Sequence, residues 1–515
     1  MTHRRPVGIA AAIAVPVLLL VALLSWAFAS PVGASPDDPY HMASIWCAAG
    51  PADGVCETTA DPQVRLVPRE IIDAACYAGD DTHAATCPKD PGLAETSKGN
   101  WNGGAYPPVY YFVMHAFVSG DLSASVIAIR VFNAALYVGV LTALLFLLPL
   151  ARRPALVWGA AITLVPLGMF LVPSINPSSW AVLSASGVWI AAWGFLEQRG
   201  WRRAALGALT VLLVVIGAGA RSDAAAFSAF ALILAAVLAF RRDRRYLLGL
   251  ILPGTLIIVA AAFFLSGGQS AVVGASTVVQ NSSYDLPLLA FLDIKALPQL
   301  IAGAFGVWGL GWLDTSMPGI VWVSALAVFT AVAFWGLRRG GARKWIAVAA
   351  SAASVVGMPL FLLLHDGVEV GHGVQPRYVY PLIVIFAGIV VVGFTRASLG
   401  LGRVQLVVLG VGAVIANAVA LQVNLRRYVT GVDVLGPNLD RDIEWWWNLP
   451  VSPMGVWAIG AAAFALFAAV LVWLVWNRSS PTAEDGAEGG PVAVSPAEVV
   501  LAERSDAPGG ARGAL

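Results

Sequence analysis

Apolar segments about 20 residues long recur along nearly the whole of this chain, and a segment of that length is long enough to cross a bilayer. Hydrophobic residues make up 58% of the sequence and charged residues 12%, more apolar surface than the core of a soluble domain absorbs. The fold class that follows is all-α, a polytopic integral membrane protein, because a helix satisfies its backbone hydrogen bonds within the segment. The pattern predicts about twelve transmembrane helices, at 7–28, 126–150, 154–173, 178–197, 204–220, 224–240, 246–265, 318–337, 345–364, 378–395, 404–424 and 454–476. The stretches 107–120 and 298–313 are apolar enough to be further spans or helices lying in the interface.

Alternating these spans gathers Arg4/Arg5, Arg152/Arg153, Arg199/Arg202/Arg203, Arg241 to Arg245, Arg338/Arg339/Arg343/Lys344, Arg396/Arg403 and Arg478 on one side. That side carries most of the 31 Lys and Arg in short loops, so the positive-inside rule makes it the cytoplasm and puts both termini there. The net charge of +1 is dispersed into short clusters and forms no stripe suited to nucleic acid. The chain then divides into an N-terminal anchor at 1–29, a first extracytoplasmic loop at 30–125, a multi-span domain at 126–478 and a tail at 479–515. The tail is rich in Pro, Gly, Ala, Ser and Glu without apolar period, which predicts disorder. Ala27-Phe28-Ala29 has the small-x-small form that a signal peptidase accepts, but the apolar run before it exceeds the usual 7 to 15 residues, which favours a retained anchor.

All four cysteines, Cys47, Cys56, Cys76 and Cys87, fall in the first loop. In an oxidising compartment they would pair. Of the three connectivities, the local pairs Cys47 with Cys56 and Cys76 with Cys87 close the shortest loops. A zinc site is the rival, and no C-x-x-C is present to favour it.

Charge near a membrane is retained mainly where it pairs or binds something. Immediately beyond the first apolar run stands SPDDPYH, with Asp37, Asp38 and His41. Two adjacent carboxylates repel unless a cation, a proton or a substrate balances them. Asn176 in PSINPSSW and Asp314 in GWLDTSMP read equally as turn and cap residues, Arg221 and Asp223 as a local ion pair, and Arg130 as a side chain snorkelling to headgroups. The segment from His365 to Tyr378 carries two histidines, two acids and Arg377, with glycines at 367, 371 and 373 that allow close approach to a ligand. A guanidinium there suits a phosphate, and the alternative is a solvated loop. There is no P-loop, no H-E-x-x-H and no serine nucleophile motif, which disfavours nucleotide hydrolysis and zinc proteolysis.

The order of an apolar anchor, SPDDPYH, then YPPVYYF at 106–112 and many spans resembles the class C membrane glycosyltransferases, in which an acidic pair in the first external loop precedes a PPLYY-like segment. With GVWGLGWLDTSMP at 306–318 and GVQPRYVYPL at 373–382, the span region more closely resembles the bacterial family of predicted membrane proteins called domain of unknown function 2142. The first resemblance maps the acidic pair onto Asp37 and Asp38 and the second motif onto Pro107, Pro108 and Tyr110. The chain departs from the pattern in its second Asp, where Glu is usual, and in the cysteine-bearing insertion between the motifs.

The resemblance implies an inverting glycosyltransferase of the plasma membrane, using a polyprenyl-phosphate sugar and an extracytoplasmic glycan, lipid or protein acceptor in envelope biogenesis, with membrane lipids as its surroundings. Asp37 is the expected base, with Asp38 and His41 positioning it or Asp37 and Asp38 holding a divalent cation; no other cofactor is expected. Arg377, with Arg221, His372, Tyr378 and Arg130, is the expected phosphate side of the site. A shared site requires His365 to Tyr378 to lie close to Asp37 in space. The alternatives are a transporter or flippase of a lipid-linked envelope precursor, and a non-enzymatic assembly scaffold. Topology is tested by thiol labelling: after reduction, an impermeant reagent added to intact cells reaches the first-loop cysteines, and labelling only after the membrane is opened reverses the orientation.

Overall fold

The computed structural model describes residues 4–102, 104–268, 284–394 and 401–476; the expected tail at 479–515, with Arg396 and Arg478, lies outside the described residues. In chain order, α1 (Arg4–Phe28) and α2 (Asp38–Trp46) are followed by β1 (Glu57–Thr58), β2 (Arg65–Pro68), α3 (Arg69–Asp73), β3 (Leu93–Thr96) and α4 (Val109–His115). The long helices then begin with α5 (Leu122–Leu147), α6 (Arg153–Ala161), α7 (Met169–Leu171), α8 (Ser178–Glu197), α9 (Gly200–Ala220) and α10 (Ser222–Ala239). They continue with α11 (Arg244–Gly249), α12 (Ile251–Ser266), α13 (Leu286–Gly303), α14 (Gly319–Gly336), α15 (Ala342–Asp366), α16 (Pro376–Val390), α17 (Arg403–Val429) and α18 (Pro453–Trp476). Among the described residues, ten helices are long and apolar enough to cross a membrane, or up to eleven if the bent pair of α6 and the segment Leu164–Leu171 is one span. The apolar part of α1, Ile13–Phe28, and α16 are shorter.

A helix that is apolar on every side belongs where every side is covered. That place is taken by α8, 89% buried over its most apolar window against 22% for the span containing α12. It packs against α5, α6, α9, α10 and α16. The approach is close where small residues face one another, as expected when packing rather than the hydrophobic effect joins helices in lipid. A Cβ added to Gly159 of α6 would come within 2.6 Å of the Gly388 Cα on α16, and one on Gly388 would meet the Trp189 ring of α8 at 2.4 Å. A second group joins α1 to α5 and α18, and α18 to α17, with Trp26 Nε1 of α1 donating to Asn417 Oδ1 of α17 at 3.1 Å.

Of the two stretches that read as further spans or interfacial helices, one is too short to cross and the other overlaps the end of α13, which is among the ten candidate spans. Within 107–120 lies only α4, too short to cross. The apolar stretch at 298–313 overlaps the end of a longer helix, α13, whose middle meets the connection between α15 and α16 and whose end meets the start of α16. Asp293 Oδ1 accepts from Val370 N at 2.9 Å, and a Cβ on Gly303 would come 2.4 Å from Pro376 Cγ. The first long helix after the loop, α5, starts at Leu122 rather than 126, because Asp121 caps it by accepting from Ala124 N.

Between α2 and α4 the chain has too few apolar residues for a core of its own, and it is held by cross-links. The disulfides are Cys47–Cys56 and Cys76–Cys87, the local pairs that the spacing favours, and no free cysteine occurs among the described residues. The strands form an antiparallel sheet in the order β1-β2-β3, with Leu66 opposite Glu57 and Glu95. Arg427, at the end of α17 and fully buried, clasps this loop to the bundle. Its guanidinium donates to the carbonyls of Tyr77 and His83 and to Asp314 Oδ2 at 2.8 Å, and the same Oδ2 accepts from Gly79 N. Asp314→Asn leaves that guanidinium buried without its counter-charge, so the melting curve of the purified protein should fall by an amount equivalent to roughly 3 to 5 kcal/mol. An unchanged curve would mean that the clasp holds nothing.

Candidate functional site

The SPDDP segment folds into a tight turn that sends its two carboxylates in different directions. Ser35 N donates to Asp38 Oδ2 at 3.0 Å while Asp38 N donates to the Ser35 carbonyl at 3.1 Å. Asp37 takes a left-handed conformation, φ 63°, ψ 15°, which Asp and Asn tolerate better than other residues with a Cβ. Asn176 Nδ2 donates to the Pro36 carbonyl at 2.9 Å and its Oδ1 accepts from Ser178 N, so the turn before α8 both caps that helix and holds the acidic turn. As a result Asp38 is fully buried, whereas the Asp37 side chain is 46% exposed.

Opposite Asp37 stands Arg377, from the first turn of α16 and 340 residues away in sequence. Its Nη2 donates to Asp37 Oδ2 at 2.6 Å and to the Tyr378 hydroxyl at 2.9 Å. The Arg377 side chain is 6% exposed, yet among the described residues its Nε and Nη1 find no hydrogen-bond partner, and neither does the buried Oε1 of Gln375. Pro36, Phe170, Leu310, Gln375 and Arg377 line a cleft of about 20 Å³, room for about one water. Arg221 joins the cluster from the junction of α9 and α10. Its guanidinium lies 5.1 Å from the centre of the Tyr378 ring and 5.6 Å from that of Tyr106, distances at which a cation is attracted to an aromatic face. It is also forked onto Asp223, at 2.9 and 2.6 Å, the local ion pair that two residues in one turn suggest.

The second motif packs directly on the first. Tyr111 Oη lies 2.9 Å from His41 Nδ1, the Tyr106 ring meets the His41 ring edge-on at 5.2 Å, and the Tyr110 hydroxyl donates to the Ile175 carbonyl. Asn100 orients this wall: its Oδ1 accepts from Tyr106 N and from the Tyr40 hydroxyl, and its Nδ2 donates to the Tyr106 carbonyl. Nothing in the sequence separates Asn100 from an ordinary loop asparagine. Arg427 had a visible signal, because Asn417, Asn424 and Arg427 or Tyr428 recur on one face of α17 and all four are buried.

Several expected site residues take other tasks. Arg130, buried, is spent on the carbonyls of Ala27, Ser30 and Pro31 at the end of α1 and does not join the Arg377 cluster. His372 is exposed in the connection before α16. Asp38 and His41 face the interior rather than the side where Asp37 is open. Among the described residues no three His, Cys, Asp or Glu side chains converge as a metal site requires, and Asp37 and Asp38 do not face a common point. Burial pushes the Asp38 carboxyl up to about 7, against the opposing charge of Arg130 and the bond from Ser35 N. Burial, with the nearby charges of Arg377 and Arg221, holds the His41 imidazole well below its ordinary value, so it is neutral at pH 7.

Compared with known families, residues 19–386 match the model of a family described as "Predicted membrane protein (DUF2142)". The match begins within α1 and ends within α16, taking in the whole cluster and leaving α17 and α18 outside. No curated protein and no solved structure matches the chain.

The buried Asp38 gives stability a pH dependence of definite sign. Its carboxyl titrates near 7 in the fold and near its ordinary value of 3.8 when unfolded. Between those values the folded state holds a proton that the unfolded chain has lost, so stability falls as pH rises through this window and levels off above it. Melting temperatures recorded across pH 4 to 7 should show this fall for the natural protein and a flatter profile for Asp38→Asn. Equal slopes would place the titrating group elsewhere.

Proposed function

We propose that this chain, which belongs to the DUF2142 family of predicted membrane proteins, is a membrane glycosyltransferase that moves a sugar from a polyprenyl-phosphate donor to an extracytoplasmic acceptor. The observation that carries the reading is the contact of Asp37 with Arg377, where a half-exposed carboxylate meets a buried guanidinium that keeps two donor nitrogens unused. A transferase of this kind needs a base and a phosphate-binding cation within one substrate's length. The topology that goes with it has twelve crossings, with α13 lying along the end of the bundle and α1, the bent span and α16 each crossing.

In the reaction, the acceptor hydroxyl gives its proton to the Asp37 carboxylate as its oxygen bonds to the anomeric carbon. The bond from that carbon to the phosphate oxygen breaks, and its electron pair leaves with the polyprenyl phosphate. Arg377 Nε and Nη1 donate to the phosphate oxygens as their charge grows, while Arg221, balanced by Asp223, supports the Tyr378 and Tyr106 rings beside them. A single displacement inverts the sugar. Because the cleft beside Arg377 has the volume of about one water, the donor enters by moving the apolar segment from Gly303 to Leu313 that lines it.

One observation favours a transporter of a lipid-linked precursor: the break between α6 and Leu164–Leu171, where the axis turns by 86°. Interrupted helices line substrate paths in many transporters. The two readings part on turnover. Asp37→Asn keeps the size and the left-handed backbone of the native residue but cannot take a proton, so release of polyprenyl phosphate from a panel of donors should fall by roughly 10²-fold or more with melting nearly unchanged. Arg377→Lys should also impair it, since an ammonium does not reproduce a planar fork. Normal turnover by Asp37→Asn would remove the mechanism, and lipid movement without sugar release would favour the transporter.

A further inference from the structure

At the other end of α8 and α9, one helix length of about 30 Å from Arg221, two short connections and the helix starts after them carry seven arginines: Arg199 with Arg202 and Arg203 of α9, and Arg241 and Arg242 with Arg244 and Arg245 of α11. The connections are locked to each other. Arg245 Nη2 donates to the Gln198 carbonyl at 2.5 Å, Arg203 lies over the Phe195 ring at 4.7 Å, and a Cβ on Gly249 would sit 3.6 Å from Arg203 Nη2. Arg245 consequently lies within the electrostatic reach of Arg199, Arg203 and Arg241, three like charges against the single opposing one of Asp243. Like charges so placed repel, and the acids nearby are already committed. Glu197 is paired with Arg152 at 2.7 Å, and Asp243 caps α11 by accepting from Tyr246 N at 2.7 Å. Among the described residues the side chains of Arg199, Arg203 and Arg241 have no acidic partner. Beside them Trp201, Leu247 and Ile251 are 70%, 63% and 64% exposed, as suits side chains that face acyl chains.

We infer that this arginine cluster is a binding site for the headgroup of an anionic phospholipid, with the phosphate held between the two connections and the acyl chains against Trp201, Leu247 and Ile251. The cluster lies at the ends of candidate spans, where headgroups are the anions at hand, and each arginine near such a surface contributes about fivefold in lipid preference. The site is separate from the Asp37 and Arg377 cluster and does not depend on what that cluster does.

The test reconstitutes the full chain in nanodiscs containing equal phosphatidylglycerol and phosphatidylcholine, extracts it, and counts the co-purifying lipids by native mass spectrometry. The natural protein should retain phosphatidylglycerol preferentially. Arg203→Gln with Arg241→Gln should lower that preference by about 25-fold or to parity, whereas Arg203→Lys with Arg241→Lys and the distant Arg441→Gln should keep it. Equal retention of the two lipids by the natural protein overturns the inference without recourse to any variant, and so does an unchanged preference in the folded double glutamine variant.

Discussion

A guanidinium removed from water must be given hydrogen-bond partners and a counter-charge, and the loop-bearing end of this bundle is organised around that requirement. Among the described residues five arginines there, Arg130, Arg221, Arg377, Arg426 and Arg427, are each at most 6% exposed. Arg130 closes the end of α1 by binding three carbonyls, and Arg427 ties the disulfide-stapled loop to α17 through two carbonyls and Asp314. Arg221 is forked onto Asp223. Arg377 differs in degree: among the described residues two of its nitrogens lack a partner, against one each in Arg130, Arg426 and Arg427, and its counter-charge, Asp37, is the half-exposed one. The arrangement therefore sets Arg377, with two open nitrogens and a half-exposed counter-charge, apart from the arginines that build the end of the bundle.

The first loop depends on this for its position. Its sheet is small and its disulfides close only short loops, with Cys47–Cys56 spanning 9 residues and Cys76–Cys87 spanning 11, so neither can fix the loop against the helices. That is done by Arg427 and by close contact at Gly431, where a Cβ would come 2.1 Å from the Thr82 carbonyl oxygen and where φ is +88°. Both residues lie beyond the segment that matches the family, so the anchoring of the loop draws on the end of α17 and the turn after it, which the match does not cover.

Much of the architecture was legible because its signal is long-range repetition. Apolar runs of one bilayer's thickness announce their spans whatever their neighbours are, and cysteines 9 and 11 apart announce local bridges. The meeting of Asp37 with Arg377 was legible only through chemical need, since no periodicity links residues so far apart. What stayed hidden was direction. SPDDPYH shows two equivalent acids, and only the turn made by Ser35 and the left-handed Asp37 buries one and opens the other. Arg130 and Arg377 likewise look alike as lone arginines at span ends, and they differ because free carbonyls await the first.

The central claim is that Arg377 receives a lipid phosphate at the expense of its contact with Asp37. The most direct measurement is the shift in melting temperature of the purified chain on adding a polyprenyl phosphate, set against the uncharged polyprenol of the same length, for the natural protein and for Arg377→Gln. A stabilisation by the phosphate that the alcohol does not give, and that Arg377→Gln abolishes, is the predicted result. Equal shifts from phosphate and alcohol, or a phosphate effect that survives in Arg377→Gln, would contradict it.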